Sequence, residues 1–247
     1  KPSDLTKIGA IVNDNSRNAL LFIKDSSHIR VIDCNINRPW PPSSNFQRGV
    51  WIEGANSGVY DILIQGCDIE GGYQGILTYK DIRDGIVIRN NHIHLTASSF
   101  ITLQSYFNNS EVLIENNHMH DRRKALDSHG SGLAVRISNL TARGNIIHDF
   151  GGSGGIKFYD DPGEPPNGYE NMLIENNLFY DSYGTTNCIF DDLTKNIMVR
   201  NNTFIGAHYD GCSRANWYGT AASFNAKYPD IGVLNLKVYN NIFVGTG

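Results

Sequence analysis

Apolar and polar residues alternate in short stretches along most of the chain, and one ten-residue pattern of this kind recurs eight times. In each copy, alternating apolar residues are followed by two polar or small residues and then by further apolar residues. A period of two places the apolar side chains on one face of a strand, and the pair that follows turns the chain. The eight copies begin at His28, Asp61, Gly85, Glu111, Asn139, Asn171, Asn196 and Asn235.

The two residues at each turn form columns when the copies are stacked. Asp, Asn or Gly occupies the first position, and Asn and Gly readily adopt a left-handed backbone. These residues are Asp33, Gly66, Asn90, Asn116, Gly144, Asn176, Asn201 and Asn240. The second position holds Cys34, Cys67, Asn91, Asn117, Asn145, Asn177, Asn202 and Asn241. Asparagines stacked about 4.8 Å apart can hydrogen-bond along the column, so we predict a buried ladder, with the two cysteines as packing residues.

The copies start 24 to 39 residues apart, and most intervals contain a second short apolar strand. These second strands are predicted at residues 49–53, 75–79, 100–104, 132–136, 155–159, 187–191 and 221–225. Each interval is long enough for one coil and too short for a domain. The pattern therefore predicts an all-β fold, a single-stranded right-handed parallel β-helix with an internal Asn ladder. We expect one domain over residues 1–247, with helices confined to short pieces.

The repeats resemble those of the pectate-lyase-like superfamily, roughly from Ala19 to Val244. That resemblance implies the β-helix fold and a range of activities: polysaccharide lyases, glycoside hydrolases, uronan epimerases and phage tailspikes. Because one fold carries many chemistries, the activity has to be argued from the site. The chain ends on a complete repeat without an obvious cap, as expected of a fragment or of a chain that lacks terminal segments.

Composition narrows the choice of partners. The net charge is -4 and no basic stretch is present, which argues against binding to nucleic acid. No apolar run approaches the roughly 20 residues that span a bilayer, so we expect no membrane span. The four cysteines show no CxxC pair or metal-finger spacing, which disfavours a zinc module. A polysaccharide, in particular an acidic one, is the expected partner; the oligomeric state stays open.

The outward residues of the second strands predict where the chemistry lies. One column reads Glu53, Tyr79, Gln104, Arg136, Tyr159, Asp191 and Asn225. The parallel column reads Trp51, Leu77, Thr102, Ala134, Lys157, Ile189 and Ser223. Charges of both signs together with aromatic rings suit an extended sugar chain, because rings form stacking platforms and charges bind substituents. Trp217, in a long loop segment, is a further candidate platform, and we predict the substrate site on this face.

The densest group of reactive residues comes from three successive coils. His129 and Arg136 are followed by Lys157 and Tyr159, and two acidic pairs complete the set: Asp160, Asp161, Asp191 and Asp192. Oxygen ligands with this much negative charge favour Ca²⁺. Some calcium-dependent pectate lyases of this fold use a lysine base beside Asp ligands, and the resemblance implies that role for Lys157, with Arg136 as the other candidate.

Three functions follow from these residues. The first is a secreted, periplasmic or cell-surface polysaccharide lyase that cleaves a uronate polymer by β-elimination. The second is a glycoside hydrolase that uses the paired Asp residues as acid and base or nucleophile. The third is a carbohydrate-binding or tailspike-type β-helix without turnover. A set of histidines at outward or corner positions is interpreted as stacked surface groups, with metal binding as the alternative: His92, His94, His118, His120 and His148.

Overall fold

The structure is a computed structural model that describes residues 6–7, 19–37, 48–105, 110–122, 130–150, 154–158, 169–181, 188–190, 195–205 and 234–244. Throughout these ranges the regular secondary structure is β-strand, and no helix occurs in them. Every strand pairing is parallel, and each strand pairs with the corresponding strand of a neighbouring coil. The all-β parallel β-helix predicted from the repeat is therefore confirmed.

The strands, numbered in chain order, form three stacks. Sheet A contains β1 (Thr6–Lys7), β3 (Ser27–Ile32), β8 (Ile86–Arg89), β11 (Val112–Glu115), β14 (Leu140–Arg143), β17 (Glu170–Glu175), β20 (Lys195–Arg200) and β22 (Leu234–Tyr239). Sheet B contains β2 (Ala19–Lys24), β7 (Gln74–Ile82), β10 (Ile101–Gln104), β13 (Leu133–Arg136), β16 (Ile156–Phe158) and β19 (Cys188–Phe190). The long strand β5 (Arg48–Gln65) begins in sheet B and ends in sheet A. Sheet C contains β4 (Asn35–Asn37), β6 (Asp68–Glu70), β9 (His92–His94), β12 (His118–His120), β15 (Ile146–His148), β18 (Leu178–Tyr180), β21 (Thr203–Ile205) and β23 (Ile242–Val244).

Each ten-residue repeat contributes one strand to sheet A, a corner, and one short strand to sheet C. The first corner residue has a positive φ in all eight copies, between 52° and 65°, as its residue types predicted. The sequence pattern predicted two sheets, whereas the structure has three. The corner redirects the chain, so the apolar residue that follows it belongs to a separate strand with its own partners.

The core lies between the three sheets and is lined by the predicted inward residues. On sheet B these side chains are fully buried: Val50, Ile52, Ile76, Thr78, Ile101, Leu103, Leu133, Val135, Ile156 and Phe158. Phe179 and Phe204 stack at a ring-centroid distance of 4.9 Å. Cys67 is buried in the core, as predicted for a packing residue, and that burial raises the pKa of its thiol to about 11.

The asparagine ladder runs through the corner between sheets A and C. Asn91, Asn117, Asn145, Asn177 and Asn202 are each no more than 2% exposed. Asn117 Nδ2 donates to Asn145 Oδ1 at 3.0 Å, and Asn145 Nδ2 donates to Asn177 Oδ1 at 2.9 Å. Each oxygen also accepts the backbone N–H of the preceding ladder residue. The ladder thereby satisfies polar groups that are buried in the corner.

Candidate functional site on sheet B

The predicted outward columns of sheet B are in register. Glu53 pairs with Tyr79, and Gln104 pairs with Arg136 on the next pair of strands. In the parallel column, Ala134 pairs with Lys157. Parallel strands repeat about every 4.8 Å, so side chains that are far apart in the sequence form one continuous row. The structure thus brings together the members of the predicted site that lie in the described residues.

Most of this face is shielded from solvent. Glu53 is 9% exposed and Arg136 is 6% exposed, while Tyr79, Gln104 and Lys157 are half-buried. The register places these residues on one face of the sheet, opposite the fully buried residues Val135 and Phe158. Their shielding could not be predicted from the strand pattern, since alternation specifies a face of the sheet and not what covers that face.

Glu53 and Tyr79 share a cationic partner that the sequence analysis missed. Lys80 Nζ lies 2.6 Å from Glu53 Oε1 and 5.3 Å from the centroid of the Tyr79 ring. The hydrogen bond to Glu53 raises the pKa of Lys80. The carboxylate is therefore neutralised within the protein, so Glu53 contributes a hydrogen-bond acceptor to the face and little net charge.

Trp51 forms an aromatic platform near the N-terminal end of the same face. The guanidinium of Arg48 lies over the Trp51 ring at 4.9 Å, and Phe22 meets that ring edge-on at 5.3 Å. Arg48 Nε also donates to Gln74 Oε1, and Gln74 Nε2 donates to Thr102 Oγ1 at 2.9 Å. These contacts hold the indole in one orientation, as a stacking surface for a sugar ring requires.

Arg136 and Lys157 lie further along the solenoid on neighbouring strands. Lys157 pairs with Ala134, which lies two residues before Arg136 on the neighbouring strand. Lys157 and Arg136 therefore lie on the same face of the sheet. Strand geometry places their Cα atoms about 8 Å apart. Two cationic side chains at that separation suit a polyanion.

The remaining predicted site residues lie outside the described residues. They are His129, Tyr159, Asn225, Trp217, Asp160, Asp161, Asp191 and Asp192. The two acidic pairs follow β16 and β19 in the sequence, and Phe158 at the end of β16 pairs with Phe190 at the end of β19. The calcium site stays a prediction.

Sheet A has a different surface chemistry. Several of its outward charges form ion pairs: Glu115 binds Arg143 at 2.8 Å, and Glu175 binds Arg200 at 2.7 Å. A depression of about 550 Å³ lies on this sheet beside Val87, Leu113 and Thr141. Its wall offers charged and apolar groups, whereas sheet B combines an aromatic platform with two basic residues on neighbouring strands.

On sheet C, outward histidines of neighbouring coils form what we call the imidazole cluster: His92, His94, His118, His120 and His148. The residues between them, Ile93, Met119 and Ile147, are fully buried in the core. Partial desolvation by the neighbouring rings, with repulsion from the other imidazoles, lowers the pKa of His118 to about 4, although the side chain remains accessible to solvent. Burial also lowers the pKa of His120. The predicted stacking of these rings is confirmed, but the sequence analysis missed their acidic partners.

Comparison with known families decides the class of protein. Residues 18–204 match the family model described as the right handed beta helix region. The chain belongs to the right-handed β-helix family. No curated protein matches the chain. The described part of this β-helix protein contains no helix with the length and apolarity that a membrane crossing requires. The family fits carbohydrate-active and tailspike-type proteins and does not by itself choose among their activities.

Proposed function

We propose that this β-helix protein is a polysaccharide lyase that cleaves a uronate-containing polymer by β-elimination on the outward face of sheet B. The observation that carries the proposal is the position of two basic residues, Arg136 and Lys157, on one face of adjacent strands. The overall net charge is -4, so a polyanion needs local basic groups to bind it, and we assign that role to these two side chains.

The aromatic platform supports an extended polymer as the substrate. Trp51 lies at the other end of the same face and contacts Phe22 edge-on and the guanidinium of Arg48. Three coils, with strands β7, β10 and β13, separate Trp51 from Lys157 in the stack. At about 4.8 Å per coil, a chain of several sugars spans that distance. One end of the face then stacks a ring while the other end holds carboxylates.

β-Elimination needs a base and a neutralised carboxylate. The base removes the proton on the carbon beside the uronate carboxylate, the electron pair forms a carbon–carbon double bond, and the glycosidic oxygen departs with its electrons. We assign Lys157 as the base and Arg136 as the group that binds the carboxylate, with their exchange of roles as the alternative. A Ca²⁺ ion held by Asp160, Asp161, Asp191 and Asp192 would neutralise that carboxylate further.

The experiment incubates the protein with pectate, alginate and neutral glucans in buffer with Ca²⁺. Ultraviolet absorbance of the unsaturated uronate product measures elimination, and a reducing-sugar assay measures cleavage of either kind. Lys157→Ala is expected to lower kcat about 10²- to 10⁴-fold while substrate binding is largely kept, because a base acts mainly in the transition state. Lys195→Ala, an exposed lysine on sheet A, is the matched control and should keep full activity.

The other outcomes point to the other functions. New reducing ends without the unsaturated product would indicate a glycoside hydrolase. Polymer binding without any product would indicate a carbohydrate-binding or tailspike-type module, a function that the internal neutralisation of Glu53 by Lys80 also suits. Elimination that survives both a calcium chelator and Lys157→Ala would rule out this mechanism.

A further inference from the structure

The imidazole cluster on sheet C is not used by the proposed lyase site and is built of close nitrogen pairs. His92 Nε2 lies 2.6 Å from His120 Nε2, and His118 Nε2 lies 2.9 Å from His148 Nε2. One ligand atom each from His92, His118 and His120 lies within 4.8 Å of the other two. The cluster therefore concentrates imidazole nitrogens from strands β9, β12 and β15 at one point on the surface.

Carboxylates bind the opposite nitrogens of these rings. Asp68 Oδ1 lies 2.8 Å from His92 Nδ1, and Asp121 Oδ2 lies 2.9 Å from His120 Nδ1. Asp149 Oδ2 makes the same contact with His148 Nδ1 at 2.6 Å. A carboxylate accepts a hydrogen bond, so each of these contacts favours a proton on Nδ1 and an exposed lone pair on Nε2.

This arrangement leaves two lone pairs directed at each other. With Nδ1 protonated on both His92 and His120, neither Nε2 atom has a hydrogen to donate across their 2.6 Å separation. The contact is attractive only when a positive species lies between the two nitrogens. A shared proton or a metal ion supplies it.

We propose that His92, His118 and His120 bind a divalent transition-metal ion such as Zn²⁺ on the outer face of sheet C. Three imidazoles are the ligands that zinc, copper and nickel prefer, whereas Ca²⁺ and Mg²⁺ prefer oxygen. Carboxylates on the far nitrogens orient and strengthen imidazole ligands in metal sites.

The His92–His120 pair needs only a small adjustment to admit the ion, and His118 Nε2, now against His148 Nε2, must turn toward it. Tetrahedral Zn–N bonds of 2.0–2.1 Å separate two ligand nitrogens by about 3.3 Å, so the His92–His120 pair must open by about 0.7 Å. His118 is exposed, which gives the ion an open path from solvent and leaves room for a water as the fourth ligand. The ligands rise from rigid strands whose inward neighbours are fully buried, so the site is preorganised.

The test titrates Zn²⁺ into the protein, prepared without a polyhistidine tag, at neutral pH in an isothermal calorimeter. We expect one ion per chain with sub-millimolar or tighter affinity, and the paired variant His92→Gln with His118→Gln should lose measurable binding. Asp121→Asn, which alters only a partner of a ligand, should weaken binding about tenfold. Replacement of Zn²⁺ by Co²⁺ should give the visible absorption bands of tetrahedral nitrogen coordination.

His28→Gln is the matched control. His28 also binds a carboxylate through Nδ1, at 2.6 Å from Asp61, but it lies on sheet A, two coils before the coil that contains His92. Its loss should leave Zn²⁺ affinity unchanged. Far-ultraviolet circular dichroism of each variant checks the fold, and Zn²⁺ should raise the Tm of the parent protein but not of the paired variant.

Three results would overturn the proposal: no heat of Zn²⁺ binding to the folded parent protein, equal binding by the parent and the paired variant, or loss of binding in His28→Gln alone. The first would mean that a shared proton alone lies between the nitrogens. Because none of these measurements uses a sugar substrate, they can fail while the lyase proposal stands, and the reverse also holds.

Discussion

Two columns of asparagine run along the solenoid with the same side-chain contact, and they differ in what surrounds them. In the buried ladder, Asn145 Nδ2 donates to Asn177 Oδ1 at 2.9 Å. In a second, exposed ladder at the start of the repeats, Asn171 Nδ2 donates to Asn139 Oδ1, also at 2.9 Å. The bond lengths agree, but water can replace the partner only in the exposed ladder.

The surroundings decide what each column does. Asn145 also donates to the carbonyl of Ile114 and accepts the N–H of Asn117, so it satisfies groups inside the corner. Asn171 has a φ of 63° at the opposite end of the repeat, where tolerance of a left-handed backbone is the main requirement. Two hydrogen bonds of equal length can therefore stabilise the fold by different amounts. The contribution is larger where the donor and acceptor are buried, because breaking the bond there leaves both groups without a partner.

The largest expected effect comes from Asn145→Asp. The change keeps the shape but replaces two N–H donors by a carboxylate oxygen that faces the carbonyl of Ile114 and Asn177 Oδ1. Burying a charge without a partner should lower the free energy of unfolding by more than about 3 kcal/mol. Urea unfolding followed by circular dichroism measures this loss.

The pH dependence of the same variant gives an internal check. Burial raises the folded-state pKa of a carboxyl group above its unfolded value of about 3.9. The variant should therefore be closest to the parent in stability below that pH, and the difference should grow as the pH rises through the higher folded-state value. A difference that is independent of pH would contradict burial of the charge.

Asn145→Ala should have an intermediate effect. It removes the ladder side chain without adding charge, so the carbonyl of Ile114 and the N–H of Asn117 lose their partner. Unfolding midpoints should report a loss of about 1–3 kcal/mol. A midpoint equal to that of the parent would show that the ladder contributes nothing to stability.

Asn171→Asp should have the smallest effect and is the matched control for the buried substitution. Asp tolerates the positive φ, still accepts the hydrogen bond from Asn196, and gives up only the bond to Asn139, which water can replace. We expect a change within about 0.5 kcal/mol by the same urea assay. If Asn145→Asp and Asn171→Asp cost the same, burial is not what distinguishes the two ladders.

Local pattern was sufficient to predict the coil. The ten-residue repeat predicted the core residues, the left-handed corners and the buried ladder, because each depends on alternation or on a single residue type at a fixed position. The in-register row from Glu53 to Arg136 was also predictable, since equivalent positions of stacked coils must lie side by side.

The sequence by itself determined the stacking of coils and the face of each strand that points to the core. Alternation places the apolar side chains of a strand on one face, and only that face can be buried. The tertiary structure decided which outward groups touch. Lys80 neutralises Glu53 from 27 residues away, and Asp68 orients His92 from 24 residues away. Such contacts depend on the side-chain conformations of neighbouring coils, and no local pattern in the sequence records those conformations.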